Sequence, residues 1–262
     1  MKPGLLVLSL VTLAVPSWAQ EAVAPRDSVL WGEIAIGDPG VRVTDGSVAR
    51  RKVSQFKAAA KKTKDKQERA EALRKLGDWD HPEILKEAKK HLKSKNRFMA
   101  VEAAIVVARQ SDKKTAGYKL LGALKNERRH DVICAQLVAL GTVGNEKGFK
   151  AAQKWLHYKT DEPRNELRKA AARYFGLIKA KAAFKDLATY LDDPVKRNTL
   201  SVDDPLNPPP AVWRKRWEAW EAYYPYVRDA MKAITDGETF ETTTEAREWA
   251  KTGDAKKLGI KW

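Results

Sequence analysis

The residues most able to do chemistry in this chain are four histidines, one cysteine and an adjacent pair of aspartates. Their spacing argues against a catalytic centre. His81, His91, His130 and His157 form no His-x-x-His or His-Glu-x-x-His pair, so no helical turn presents two imidazoles to one zinc ion. His81 precedes Pro82 at a helix start and His157 closes a helical pattern, positions that suit solvated or capping imidazoles. Cys134 is the only cysteine, so an internal disulfide is excluded. It sits beside Ile133 and Leu137 in an apolar pattern, which reads as a small core residue; a reactive thiol would need a neighbouring base that the sequence does not supply. Asp203-Asp204 lack the alternating acids of a calcium loop. Gly141-Thr-Val-Gly144 ends a helical pattern instead of opening one after a strand, and no G-x-S-x-G elbow occurs. The expectation is a protein that is not an enzyme, with no catalytic, cofactor-binding or metal-ligating residues.

The stronger chemical signal is charge. The chain has 50 basic and 34 acidic residues and a formal net charge of +16. Lys86, Lys89, Lys90 and Lys93 are spaced i, i+3, i+4, i+7, which places them on one face of a helix. Lys150 and Lys154 repeat the arrangement 64 residues later, with Gln153 and His157 completing the set. In the next unit the set is Lys185, Ala188, Thr189 and Asp192, so the charge fades toward the C-terminus. Such a face is either a solvated surface or an electrostatic groove for an acidic partner. These six lysines are the candidate partner-binding residues.

The elements that must carry them form a repeat. Leu73–Gly77, Ile105–Arg109, Leu137–Gly141 and Ala172–Gly176 read LRKLG, IVVAR, LVALG and ARYFG, starting 32, 32 and 35 residues apart. Leu92, Leu124, Leu156 and Leu191 have the same three spacings. A period in this range means stacked supersecondary units. Each unit divides into a first helix, over roughly 67–77, 97–109, 130–141 and 163–178, and a second, over roughly 82–93, 114–125, 147–158 and 181–192. Four and seven residues before each leucine of the second column stand Ala88, Leu120, Ala152 and Leu187, then Leu85, Gly117, Phe149 and Phe184. One apolar face is thereby retained through all four second helices, as stacking requires.

The fourth unit, Glu166-Leu-Arg-Lys-Ala-Ala-Ala-Arg-Tyr-Phe-Gly176 followed by Lys181-Ala-Ala-Phe-Lys-Asp-Leu-Ala-Thr-Tyr-Leu-Asp-Asp-Pro194, resembles the HEAT-repeat family of armadillo-type α-solenoids. The resemblance spans roughly residues 67–193, and the second unit departs from it with Arg109 in the glycine column. It implies an all-α, right-handed α-solenoid of helical hairpins and a scaffold that binds other macromolecules. Some HEAT-like proteins are lyases acting on bound chromophores, so the resemblance also leaves a lyase-like enzyme or enzyme subunit open.

Residues 1–19 read as a signal peptide. Lys2 is the charged start, Leu5 to Val15 the apolar stretch, and Ser17-Trp18-Ala19 a small-residue site cleaved after Ala19. An exported protein, periplasmic or secreted and not membrane-spanning, follows. Residues 20–66 then form a partly extended linker and a basic capping helix, with Val53, Phe56 and Ala60 on one face. After the repeats, Asp203-Asp204-Pro205 and Pro208-Pro209-Pro210 mark residues 194–211 as a proline-rich insertion. Residues 212–262 form a degenerate helical unit and a C-terminal cap. Trp213, Trp217, Trp220 and Tyr224 make an aromatic stripe there, either core packing on the fourth unit or a platform for glycan rings. Pro225 kinks that helix or divides it.

The reading is thus a non-catalytic exported scaffold binding another macromolecule, with a protein of acidic surface as the expected partner. The alternative is a cell-envelope module for anionic glycan or lipid surfaces. Export argues against nucleic acid as the ligand.

Overall fold

The computed structural model describes residues 41–158, 165–195 and 206–262. Residues 1–19, expected to be a signal peptide, the expected linker up to residue 40 and the Asp203-Asp204 pair lie outside these residues. The described protein is all-α, with twelve α-helices and a single pair of two-residue strands.

Helix α1 (Gly46–Lys62) starts where Asp45 accepts from the Ser47 and Val48 amides, satisfying two of the free N–H groups of its first turn. The first helices of the units are α2 (Lys66–Leu76), α4 (Arg97–Arg109), α6 (His130–Thr142) and α8 (Asn165–Leu177). The second helices are α3 (Pro82–Ala88), α5 (Lys113–Leu124), α7 (Phe149–Leu156) and α9 (Phe184–Ala188). Three of the second helices are shorter than their apolar pattern suggests. A 3₁₀ turn over Lys89–His91 closes α3, and 3₁₀ turns over Glu146–Gly148 and Lys181–Ala183 open α7 and α9. Tightening to i→i+3 bonds at helix ends is a common way to use up orphan backbone groups. Helix α10 (Pro210–Ile234) then runs unbroken through Pro225, and α11 (Thr243–Trp249) and α12 (Gly253–Lys257) close the chain.

The first helices pack in a row, α2 on α4, α4 on α6, α6 on α8 and α8 on α10. The second helices pack chiefly on that row: α3 on α4, α5 on α6, α7 on α8 and α9 on α10. Both repeat columns are core. Leu73, Ile105, Leu137 and Ala172 are buried, as are Leu92, Leu124, Leu156 and Leu191. Each such leucine contributes roughly 1.5–3 kcal/mol by leaving water. Helices α4 and α6 are buried over ten consecutive residues each, Met99 to Ala108 and Val132 to Gly141. That matches their nearly uninterrupted apolar sequence: a helix apolar all round is a core helix.

The glycine column is the line of closest approach. A Cβ on Gly77 would lie 2.9 Å from Val106 Cγ2, and one on Gly141 would lie 2.8 Å from Leu177 Cδ1. Arg109, the exception, turns its guanidinium back to 3.7 Å from Asp78 of the preceding turn.

Neighbouring units are also pinned at their turns. Buried Gln110 donates to Trp79 O at 3.0 Å and accepts from His81 N at 3.2 Å. Tyr174 Oη donates to Asn145 O at 2.8 Å. At the opposite end, Arg129 donates to Ser94 O, Arg168 to Leu156 O and Trp220 to Leu191 O. These donors satisfy carbonyls that the second helices leave open at their C-termini. The strands β1 (Arg42–Val43) and β2 (Trp79–Asp80) pair in parallel, so the segment before α1 is tied to the first turn.

Candidate functional site

In each unit, three positions of the second helix and the turn that closes it are turned to solvent. Counted from the leucine column, they are six and two residues before it and one after. In the four units they are Lys86, Tyr118, Lys150 and Lys185; Lys90, Gly122, Lys154 and Thr189; and Lys93, Lys125, His157 and Asp192. Eleven of these twelve residues are exposed, Asp192 being the half-buried one. Seven are lysine and one is acidic, so the outward face of the second helices is basic over most of its length.

Five of the six lysines singled out by spacing therefore stand on this face. Lys89 does not: it lies half-buried where α3 tightens into its 3₁₀ turn. Lys90 is held at 2.7 Å by Glu87, and Lys86 lies 3.7 Å from Glu83. Lys154 rests over the Trp155 ring at 4.8 Å. The most exposed aromatic ring on the face is Tyr118, 70% exposed, with Lys119 at 5.1 Å from its ring.

At the N-terminal end of the face, helix α1 packs on α2 and α3 and adds its own cations. Between them opens a cleft of about 350 Å³. Phe56, Ala60 and Met99 provide its apolar surface, and Lys57, Lys61, Arg69, Glu87 and His91 its charged or titratable groups. Glu87 is 6% exposed. Burial works against its ionisation, yet the Lys90 hydrogen bond at 2.7 Å and Lys57 at 3.4 Å outweigh that and hold the carboxyl below its ordinary range. His91 stacks edge-on to Phe56, ring centroids 5.5 Å apart, and its Nε2 is 3.6 Å from Glu87 Oε1. Burial lowers its pKa below the usual imidazole value, with Glu87 opposing. Its Nε2 is shielded from solvent and has no hydrogen-bond partner. Arg69 Nε donates to Thr63 O, whereas Lys61 is exposed and has no ion-pair partner among the described residues.

The sequence pointed to the lysines and missed this cleft. The i, i+3 and i, i+4 spacings of Glu87 to Lys90 and His91 were visible, but only the docking of α1 buries the carboxylate. A second unforeseen group joins two second helices: His157 Nδ1 is 3.1 Å from Tyr190 Oη and its Nε2 is 3.4 Å from Asp186 Oδ2. Gln153 donates to the same carboxylate at 2.7 Å, and Arg168 lies over the Tyr190 and Tyr223 rings at 4.6 Å. Each polar group is spent on a neighbour, so the cluster clamps α7 to α9.

The remaining sequence candidates have plainer places. His81 caps α3 by accepting from Glu83 N at 3.1 Å, and Cys134 is buried. The aromatic stripe is half-exposed at Trp213, Trp220 and Tyr224 and 38% exposed at Trp217. The core line of α10 is one step round the helix, at Tyr223, Val227, Ala230, Met231 and Ile234. Trp213 and Trp220 donate to Asn207 Oδ1 and Leu191 O, and Trp220 packs on Tyr224 with centroids 4.4 Å apart. The stripe thus borders the α10 core instead of forming it. Among the described residues, no group of three or more His, Cys, Asp or Glu could hold a metal ion, and no helix is long and apolar enough to cross a membrane.

No family model, curated protein or solved structure matches this chain.

Proposed function

We propose that this protein is an exported, non-catalytic scaffold, a right-handed α-solenoid of HEAT-like hairpins, that binds an acidic protein partner along the outward face of its second helices. The observation that carries the reading is the set of outward columns through four units, in which seven of twelve positions are exposed lysines, most of them in the first and third units. A row of first helices supplies a stiff core, and the second helices present side chains at a regular spacing, the arrangement by which repeat proteins build extended binding surfaces. Same-sign charge over such a surface raises the encounter rate with an acidic partner and selects against basic ones. The aromatic helix α10 packs beside the less basic end, so the partner's acidic region aligns with the N-terminal units.

The test is capture from native envelope extract by tagged mature protein. Two variants are compared with it: one with Lys86, Lys90, Lys150 and Lys154 changed to Glu, and a control with Lys251, Lys256, Lys257 and Lys261 changed to Glu. Selective loss of one defined protein with the first variant, and its retention with the control, supports the scaffold reading. Equal recovery with both variants, or recovery of wall polymer alone, overturns it.

A further inference from the structure

The cleft between α1, α3 and the start of α4 differs chemically from the rest of the basic face. On the rest of the face Lys86, Lys93, Lys125, Lys150, Lys154 and Lys185 are exposed. Here Phe56, Ala60 and Met99 line a recess whose rim holds Lys57, Lys61 and Arg69. The volume, about 350 Å³, is at the lower end of the range for ligand pockets, room for one or two side chains and too little for a large cofactor.

Charge decides the class of occupant. Lys57 and Lys90 are engaged with Glu87, so their charge is partly neutralised inside the cleft. Lys61 is unengaged at the rim, and Arg69 uses Nε on Thr63 O while the rest of its guanidinium remains for a ligand. A densely charged polyanion would bring several charges toward the buried Glu87 carboxylate and leave the apolar surface unfilled. An occupant with one or two carboxylates and an adjacent apolar side chain satisfies both: its carboxylate meets Lys61 and Arg69, and its apolar group covers Phe56, Ala60 and Met99.

We propose that this cleft is an anchoring site for a short acidic peptide segment that carries an apolar side chain next to its carboxylates. The proposal rests on the scaffold reading and deepens it. The outward face steers a partner by charge, and the cleft fixes its register, because a recessed apolar anchor contributes more to residence than rim charges do.

The experiment uses the mature full-length chain and fluorescence anisotropy with three labelled probes: the acetylated peptides Glu-Leu-Glu-Phe-Glu and Glu-Ser-Glu-Ser-Glu, and a long polyglutamate. Ala60→Trp fills the recess without changing charge, and Lys61→Glu reverses the rim charge at an exposed position. Circular dichroism melting checks both. The leucine–phenylalanine peptide is expected to bind at least about tenfold more tightly than the serine peptide, roughly the worth of one buried apolar group. Ala60→Trp is expected to abolish that preference, and Lys61→Glu to weaken the same peptide by a similar factor. Polyglutamate binding survives Ala60→Trp and falls when Lys150 and Lys154 become Glu. Equal affinities for the two short peptides, or a preference that both variants leave intact, overturn the anchoring site while leaving the scaffold reading standing. Loss of polyglutamate binding in no variant overturns the scaffold reading instead. Saturable binding of inorganic polyphosphate that displaces the leucine–phenylalanine peptide and is lost in Ala60→Trp overturns the peptide assignment in favour of a phosphate polymer.

Discussion

Gly176 of α8 and Ala230 of α10 meet backbone to backbone: a Cβ on Gly176 would lie 2.9 Å from the Ala230 Cα. Two helices approach this closely only where one of them has no side chain. Replacing Gly176 with Val is expected to push α10 off α8 and destabilise the protein by roughly 1–3 kcal/mol, the usual cost of overpacking. Gly122, in α5, has nothing within 4 Å of its added Cβ. Gly122→Ala is therefore expected to stabilise by about 0.5–1 kcal/mol through helix propensity alone. Urea unfolding of the pair checks both signs.

Gln110 is 1% exposed and joins two turns through Trp79 O and His81 N. Gln110→Leu keeps the volume and strands both backbone groups. A loss of about 1–3 kcal/mol is expected, the cost of leaving buried polar groups unpaired. Amide hydrogen exchange should show the added opening at His81. Unchanged protection there would mean that water replaces the amide.

Leu137 lies at the centre of the row and is fully buried. Leu137→Ala is expected to cost about 2–5 kcal/mol, the lost transfer energy plus a cavity. Because α6 packs on both α4 and α8, the loss should spread to both neighbours. Exchange protection confined to α6 would contradict that coupling.

Acid should weaken the N-terminal end first. The folded His91 holds its proton less tightly than the unfolded chain, because it is buried. Its contribution to stability is therefore complete above the ordinary imidazole value of 6.5 and is lost as pH falls from there through the lower folded value. Glu87 on the same turn acts in the same direction, over a window that opens only near 4.5. Lys57 from α1 and Lys90 from the same turn disfavour the protonated imidazole further. His91→Phe keeps the ring against Phe56 and removes the titration. The melting temperature of that variant should fall less than wild type's between about pH 7.5 and about pH 5. Parallel curves would refute the assignment.

The repeat columns were legible in one dimension because stacking selects for them directly. Leucines spaced 32, 32 and 35 apart are all buried, and the glycines beside the first column mark where helices nearly touch. The outward lysines were legible for the same reason, since a position that faces water in one unit faces water in the next. Lys89 shows the limit. Its column, three residues before the leucine, borders the apolar stripe, and Leu121, Gln153 and Ala188 at the same place are half-buried or buried as well.

Composition and periodicity by themselves determined that the chain is helical, that its helices come in stacked pairs, and that its surface is basic. Local pattern carries those properties, because burial of one helix face depends only on which residues recur along it. The tertiary structure alone decided the cleft. Phe56 and Lys57 are 30 or more residues from Glu87 and His91, and no periodicity links α1 to α3. Whether a carboxylate among lysines is a solvated surface group or a buried centre depends on what packs over it. For Glu87 that is a helix outside the repeat.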